Sequence, residues 1–296
     1  MQATGERTLS RQLEAAGRRP GSRLLRWGKR ALILNMVLTF LFLYFPILVL
    51  VLFSFNDSKL AARWEGFTFR WYGSLVSSEA ILSAFSNSLT VAIISTLFAT
   101  ILGTMAAIGM ERFRFPFRKI SDGVLYLPIV SPEIITGVSL LAFFALTLGA
   151  INDAFNLSGD SALRTGLMTV TLTHIAFNIA FVSVVVRTSL KNFRPSLEEA
   201  ALDLGATEWI SFRRILLPLI MPGILAGALL AFTLSLDNFV ITFFVTGPGG
   251  TTLPIEVFGR VRRAISPEIN AISTIMLVIS IFLVIASQVI QRRRAQ

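Results

Sequence analysis

The chain has 296 residues, of which 54% are apolar and only 15% carry a charge. Its mean hydropathy of +0.71 lies outside the range of ordinary soluble domains. The absence of cysteine and the single histidine exclude disulfides, thiolate or multi-histidine metal sites and a cysteine nucleophile. The net charge of +10 does not indicate nucleic-acid binding, because no soluble face combines basic and aromatic residues.

Apolar stretches long enough to cross a bilayer recur along the chain, and their length predicts helices rather than barrel strands. The predicted fold class is an all-α membrane protein with six transmembrane helices: Ala31–Phe55, Phe85–Met110, Gly123–Leu148, Gly166–Arg187, Leu219–Val245 and Ala271–Ile290. Residues 31–296 form the predicted transmembrane domain. Residues 1–30 form a basic tail, in which Ser22–Arg30 can lie as an interfacial helix.

Basic residues are spread unevenly between the predicted loops. Most of the 27 Lys and Arg residues fall in the N-terminal tail, in the loops after the second and fourth spans, and at the C-terminus. The positive-inside rule therefore predicts that both termini are cytoplasmic and that residues 56–84, 149–165 and 246–270 face outward. The same charge bias favours contact with anionic lipid headgroups.

The first external loop contains an aromatic stretch, Trp64–Tyr72. Aromatic side chains concentrate at membrane–water interfaces, so this stretch is typical of an interfacial belt. Contact with a partner protein is the alternative interpretation, and the sequence leaves both open.

The cytoplasmic loop 195–218 predicts two short helices joined by a bend. Ser196 and Glu199 have the spacing of a capping box at the start of the first helix. Gly205 ends that helix, and a second one begins near Thr207. Such a compact helical projection fits a groove on another protein.

The same loop carries a family pattern. Glu199-Ala200-Ala201, Gly205 and Ile215-Leu216-Leu217-Pro218 resemble, position for position, the EAA loop of ABC-importer permease subunits. The resemblance implies the type I (MetI-like) permease fold and a loop that docks into an ATPase subunit. The coupling residues it implies are Glu199, Ala200, Ala201, Asp203, Gly205, Ala206, Trp209 and Pro218.

Further segments resemble the spermidine/putrescine branch of these permeases: Trp64–Thr68, Asp237–Thr242, Gly247–Pro254 and Ser266–Ala271. This resemblance covers roughly residues 30–290 and implies polyamine cargo. That branch often carries two consecutive acids where this chain has Asp237-Asn238, a departure that weakens the polyamine assignment. Another small organic cation or amine, a phosphonate or ferric iron are alternative cargoes.

The resemblance also implies an assembly in a bacterial inner membrane. A second homologous permease, two ATPase subunits and a periplasmic or lipid-anchored binding protein are the implied partners. ATP and Mg²⁺ would be bound by the ATPase, since this chain has no phosphate-binding GxxxxGK[ST] motif and no catalytic cluster. An ion-coupled secondary transporter is the alternative class, and a membrane-embedded enzyme is less consistent with the sequence.

Two acids lie deep in the predicted spans, Glu133 near the bilayer middle and Asp237 near the external mouth. Intramembrane carboxylates normally face a cavity or a partner, so Asp237, with Asn238, and Glu133 are candidates for a cation pathway. Glu133 has a structural alternative, because it follows Pro132 and can bond to freed backbone groups or to a hydroxyl on a neighbouring helix. His174 shares a helix face with Asn178, which favours interhelical hydrogen bonding over cargo contact.

Overall fold

The structure is a computed structural model that describes residues 21–58, 63–263 and 267–292. Its helices are α1 (Gly21–Phe53), α2 (Arg70–Ser77), α3 (Glu79–Arg112), α4 (Arg118–Val130), α5 (Glu133–Phe155), α6 (Leu167–Lys191), α7 (Ser196–Asp203), α8 (Glu208–Ser211), α9 (Leu217–Asp237), α10 (Val240–Val245), α11 (Leu253–Arg263) and α12 (Pro267–Arg292). A short 3₁₀ turn covers Gly159–Ser161, and a π-helical turn covers Phe212–Leu216. The chain divides into two units, Met1–Phe53 and Ser54–Gln296.

Helix α1 is the described part of the first unit and runs without interruption for 33 residues. At about 1.5 Å per residue it is long enough to cross a bilayer and extend beyond it. The predicted interfacial helix Ser22–Arg30 is thus the first part of this same helix and not a separate element.

Six helical stretches within the described residues are long and apolar enough to span a membrane, which confirms the predicted fold class. They are Trp27–Phe53, Glu79–Arg112, Glu133–Phe155, Leu167–Lys191, Glu208–Asp237 and Pro267–Ile285. Each overlaps one of the predicted spans, although the boundaries shift by several residues.

Two predicted spans are not single helices. The prediction Gly123–Leu148 is wrong as one element, because α4 ends at Val130 and α5 begins at Glu133. Ser131 is extended (φ −71°, ψ 136°), as expected for a residue before a proline, whose ring disfavours helical geometry there. The prediction Leu219–Val245 is likewise wrong at its C-terminal end, where α9 stops at Asp237 and α10 follows as a separate short helix.

Helices α3, α6 and α9 pack against one another and form the centre of the second unit. Small residues permit the close approach: a Cβ added at Gly103 of α3 would lie 2.8 Å from the Cβ of Val182 on α6. A Cβ added at Gly227 of α9 would meet the same valine at 3.3 Å. Since lipid gives helices no hydrophobic reason to associate, such close van der Waals packing is the main force that holds them together.

The segments on either side of α2 and α11 fold onto the helix ends. Asn56 forms an isolated β-bridge with Phe67, and its side chain accepts a hydrogen bond from the Glu65 N–H at 2.9 Å. The Trp71 indole donates to the Asn56 carbonyl at 2.7 Å. Trp71 and Leu253 belong to one buried apolar cluster, which fixes α2 and α11 against the ends of α3 and α12.

Candidate functional site

The loop predicted to be cytoplasmic forms a helical hairpin, a name used for residues 196–211. Its first helix, α7, starts at Ser196 with Pro195 in the N-cap position, and no side chain caps it. The capping box predicted for Ser196 and Glu199 is therefore wrong. Pro195 already has helical angles (φ −57°, ψ −30°), which moves the helix start one residue earlier than the pattern predicts.

The bend follows the sequence prediction. Gly205 has φ +87°, a left-handed conformation that glycine adopts at little cost. The Gly205 N–H donates to the Leu202 carbonyl at 2.9 Å, and the Ala206 N–H donates to the Ala201 carbonyl at 3.0 Å. These two bonds form a Schellman motif, which satisfies the last carbonyls of α7 and redirects the chain into α8.

The second half of the hairpin joins the membrane span directly. The Thr207 hydroxyl caps α8 by accepting a hydrogen bond from the Ile210 N–H at 3.4 Å. The helix then continues through the π-helical turn Phe212–Leu216 into α9. The second helix of the hairpin and the fifth span are consequently one uninterrupted helical run from Glu208 to Asp237.

Most of the predicted coupling residues lie on the surface of the hairpin. Exposed are Glu199, Ala200, Asp203, Gly205 and Trp209, together with Pro218 at the start of α9, while Ala201 and Ala206 are half-buried. Trp209 is 66% exposed and stacks on Phe212 at 5.5 Å between ring centroids. Leu204, which the motif does not include, is 89% exposed. Exposed apolar side chains on a polar loop are typical of a protein-binding surface.

Glu198 differs from its neighbour Glu199. It is half-buried and accepts hydrogen bonds from Arg112 at the end of α3, one of them at 2.9 Å. The sequence does not predict this pair, since nothing in the local pattern joins positions 86 residues apart.

The second candidate site is the break between α9 and α10. Asp237 is the last residue of α9, and Asn238 is extended (φ −68°, ψ 116°). The Asp237 carboxylate is exposed in this chain and accepts a hydrogen bond from Ser280 of α12 at 3.0 Å. A carboxylate at a helix C-terminus adds its charge to the negative end of the helix dipole. The break therefore combines the two features by which interrupted membrane helices attract cations.

His174 holds the opposite side of this break. It is 4% exposed, with Nδ1 at 2.6 Å from the Ser235 hydroxyl and Nε2 at 2.8 Å from the Thr242 hydroxyl. Ser235 lies in turn 2.9 Å from Ser95 of α3. Asn238 closes the chain of contacts, because its carbonyl accepts from the Thr242 hydroxyl at 3.0 Å.

One neutral tautomer satisfies the whole network. With the proton on Nε2, His174 donates to Thr242, and Ser235 donates to Nδ1. The network links α3, α6, α9 and α10, and it supports the interhelical interpretation of His174. Asn178, predicted to share this role, is buried, and its side-chain oxygen has no partner within the described part of the chain.

Glu133 lies in the first turn of α5, next to the proline break. It is exposed, and no hydrogen bond or ion pair joins it to another described side chain or to Asp237, Asn238 or His174. Within the described residues, the predicted structural bond of its carboxylate to freed backbone is not formed. Its depth in the bilayer and a role in a cation pathway stay predictions.

The exposed hairpin, the interrupted fifth span and the six membrane-length helices define a class. The chain belongs to the binding-protein-dependent transport system inner membrane component family, which matches residues 99–296. It is therefore a multi-pass inner-membrane component of a transport system.

Within that family the similarity is to polyamine permeases. The spermidine/putrescine transport system permease protein PotC of Escherichia coli K12 is 40% identical over 93% of this chain and 96% of its own length. The putrescine transport system permease protein PotI of the same strain is 47% identical over 83% of this chain and 85% of its own length.

Solved structures share the fold. A bacterial ABC transporter that imports the acidic polysaccharide alginate matches with a TM-score of 0.73 and 21% identity, over 93% of this chain and all of that one (100%). The methionine ABC transporter MetNI, in an inward-facing conformation, matches with a TM-score of 0.56 and 16% identity, over 73% of this chain and 98% of that one. These likenesses establish the MetI-like permease fold.

Proposed function

We propose that this chain is one of two permease subunits of an ATP-driven importer that moves polyamines, spermidine or putrescine, into the cytoplasm. The observation that carries the ATP-driven mechanism is the exposed hairpin, whose apolar Leu204 and Trp209 project from a polar loop. The cargo is supported by the similarity to PotC and PotI, which extends over most of the chain.

Coupling in this proposal follows from the continuous helix between Glu208 and Asp237. An ATPase subunit that holds the hairpin and closes on ATP displaces α8, and the displacement reaches α9 without crossing a flexible joint. Because α9 ends at the Asp237 break, the same movement alters the outer mouth of the pathway. The chain itself makes and breaks no covalent bond.

The cargo path runs past Asp237. A fixed carboxylate in a partly dehydrated mouth attracts an ammonium group more strongly than it does in water. Asn238 supplies polar atoms beside it, and Glu133 offers a second carboxylate farther along the pathway. His174 stabilises the break from the buried side, since both of its nitrogens are hydrogen-bonded inside the subunit.

The assembly comprises a second homologous permease, two ATPase subunits and a periplasmic or lipid-anchored binding protein. ATP and Mg²⁺ bind to the ATPase subunits, and this chain needs no cofactor of its own. Both termini and the coupling loop 195–218 lie in the cytoplasm. Residues 31–296 act as the transmembrane domain, following a basic tail at residues 1–30 that contacts lipid headgroups.

Uptake measurements test the proposal. The chain is expressed with its partner subunits in cells that lack their own polyamine uptake, and the entry of labelled putrescine and spermidine is followed. We expect uptake that disappears when the ATPase carries an inactivating substitution and survives when an ionophore collapses the ion gradients at constant ATP.

The opposite dependence would contradict the ATP-driven mechanism and identify an ion-coupled secondary transporter. If the cells took up no labelled polyamine but showed ATP-dependent uptake of another organic cation, a phosphonate or ferric iron, the importer class would stand and the cargo would be replaced.

A further inference from the structure

The end of α3 carries two neighbouring charged residues that bind in different directions. Arg112 donates hydrogen bonds from both terminal nitrogens of its guanidinium group to the Glu198 carboxylate of α7. Glu111 accepts a hydrogen bond from the Arg187 Nε of α6 at 2.9 Å. One helix end is therefore joined both to the hairpin and to a membrane span.

Arg187 extends this connection. It is only 8% exposed, and its Nη1 donates a hydrogen bond to the Asp122 carboxylate of α4. Arg118, at the start of α4, lies 3.9 Å from Glu111. The ends of α3, α4 and α6 are thus tied by charge-assisted hydrogen bonds around one largely buried arginine.

No side chain of α7 is fully buried, although Glu198 and Ala201 are half-buried. Within the described residues, the hydrogen-bonded ion pair between Arg112 and Glu198 joins α7 to α3, and we expect the orientation of α7 relative to α3 to depend on it. A bidentate arginine–carboxylate pair resists rotation as well as separation, which a single contact does not. Arg112 also lies over the Phe193 ring at 5.8 Å, in the segment that leads into α7.

We propose that Arg112 and Glu198 are positioning residues that transfer the displacement of α7 to α3, and through Glu111 and Arg187 to α4 and α6. The proposal rests on the ATP-driven function proposed above. It gives the hairpin two mechanical outputs, one through the continuous helix into α9 and one through this ion pair into the other spans. The proposal also assigns different roles to two adjacent acids. Glu199 is exposed and faces the partner, whereas Glu198 is half-buried and binds within the subunit.

The test uses the assembled complex reconstituted in proteoliposomes, where cargo transported per ATP hydrolysed is measured with putrescine. Glu198→Gln and Arg112→Gln should each lower this ratio by about threefold or more, because hydrolysis continues while less displacement reaches α3. The exchanged pair, Arg112→Glu with Glu198→Arg, should recover most of the lost ratio. Arg114→Gln is the matched control, since it removes a charge from the same loop without touching the pair, and should leave the ratio unchanged.

A second measurement replaces the ion pair by a covalent link, which distinguishes coupling lost through the missing link from coupling lost through faulty assembly. Because the chain has no cysteine, Arg112→Cys with Glu198→Cys can be tethered selectively by a short bifunctional thiol reagent. We expect the untethered double variant to be poorly coupled and the tether to restore coupling. Single variants with a normal ratio, or a tether that abolishes transport, would overturn the positioning role. If transport by the unmodified complex did not depend on ATP, that result would instead contradict the proposed function.

Discussion

The histidine and the acid at the break between α9 and α10 have opposite environments. His174 is hydrogen-bonded to hydroxyls on two other helices, Ser235 of α9 and Thr242 of α10, and Ser235 contacts Ser95 of α3, so His174 acts as an internal connector. Asp237 is exposed on the chain surface and retains one hydrogen bond, from Ser280. The break between α9 and α10 therefore has a fixed inner side and an accessible acidic side, which is what a cation site at a helix end requires.

Removing the charge of Asp237 tests its role. Asp237→Asn keeps the side-chain shape and an acceptor for Ser280, so folding and assembly should be nearly unchanged. Loss of the charge should raise the apparent KM for polyamine uptake by an amount on the order of tenfold. Ser280→Ala is the control, because it removes the hydrogen bond and keeps the carboxylate, and we expect little change. Normal uptake by Asp237→Asn would exclude the carboxylate from the cargo path.

Gly205 permits a test that separates backbone strain from partner contact. A Cβ at this position meets no atom of the chain within 4 Å, so the intrinsic cost of a side chain comes from the φ of +87°. Gly205→Val should uncouple hydrolysis from transport, because a β-branched residue strongly disfavours this conformation. Gly205→Asn tolerates it better and should retain most coupling if the bend alone matters.

The readout is transported cargo per ATP in reconstituted complexes, with membrane insertion verified by immunoblotting. Equal loss in both variants would show that the partner requires an uncovered backbone at residue 205. Normal coupling in Gly205→Val would remove the hairpin from the mechanism.

For individual residues, the sequence predicts backbone conformation better than it predicts hydrogen-bond and ion-pair partners. The left-handed Gly205 follows from local chemistry, since few other residues end a helix in this way. The capping box failed because Pro195 joined the helix geometry, which Ser196 and Glu199 alone do not reveal. The Arg112–Glu198 pair could not be predicted, because it joins positions brought together only by the tertiary fold.

The membrane spans were predicted correctly in number and less well in continuity. Hydropathy reports apolar length, and both interrupted spans remain apolar on either side of their breaks. Pro132 was a visible signal for the first break. The second, at Asp237-Asn238, contains no proline or glycine. It is stabilised by a local contact of Asn238 with Thr242 and by the contact of Thr242 with His174, which is tertiary and cannot be read from the local sequence.

Helix packing in the centre of the second unit gives a prediction about stability. Gly103→Ala places a methyl group where Val182 already stands, and should destabilise the subunit by about 1–3 kcal/mol of unfolding free energy. Gly109→Ala on the same helix meets nothing within 4 Å and should be neutral or stabilising, because alanine favours helix by about 1 kcal/mol.

Thermal unfolding of the complex in detergent compares the two variants. Combining Gly103→Ala with Val182→Ala should recover part of the loss, since the smaller side chain makes room for the methyl group. Equal midpoints for Gly103→Ala and Gly109→Ala would contradict the packing of α3 on α6.

For the whole molecule, orientation is the property that the charge distribution predicts and the fold alone does not. The cysteine-free sequence allows single cysteines to report it. Cysteines replacing Ser77 and Ser158, both exposed, should react with an impermeant thiol reagent in intact cells, and one replacing the half-buried Thr251 should react more slowly. A cysteine at Thr207, also exposed, should react only after the membrane is permeabilised. Labelling at Thr207 alone in intact cells would reverse the orientation.

The π-helical turn Phe212–Leu216 has a consequence for the geometry of the whole run from Glu208 to Asp237. A π-turn accommodates one residue more than an α-turn, and one residue corresponds to a rotation of about 100° around the axis. Deleting a single residue here would shorten the run by only about 1.5 Å. It would nevertheless swing Ser235 away from His174 and turn Asp237 toward a different neighbour. The extra residue thus sets the angle around the helix axis between the hairpin and the break at Asp237.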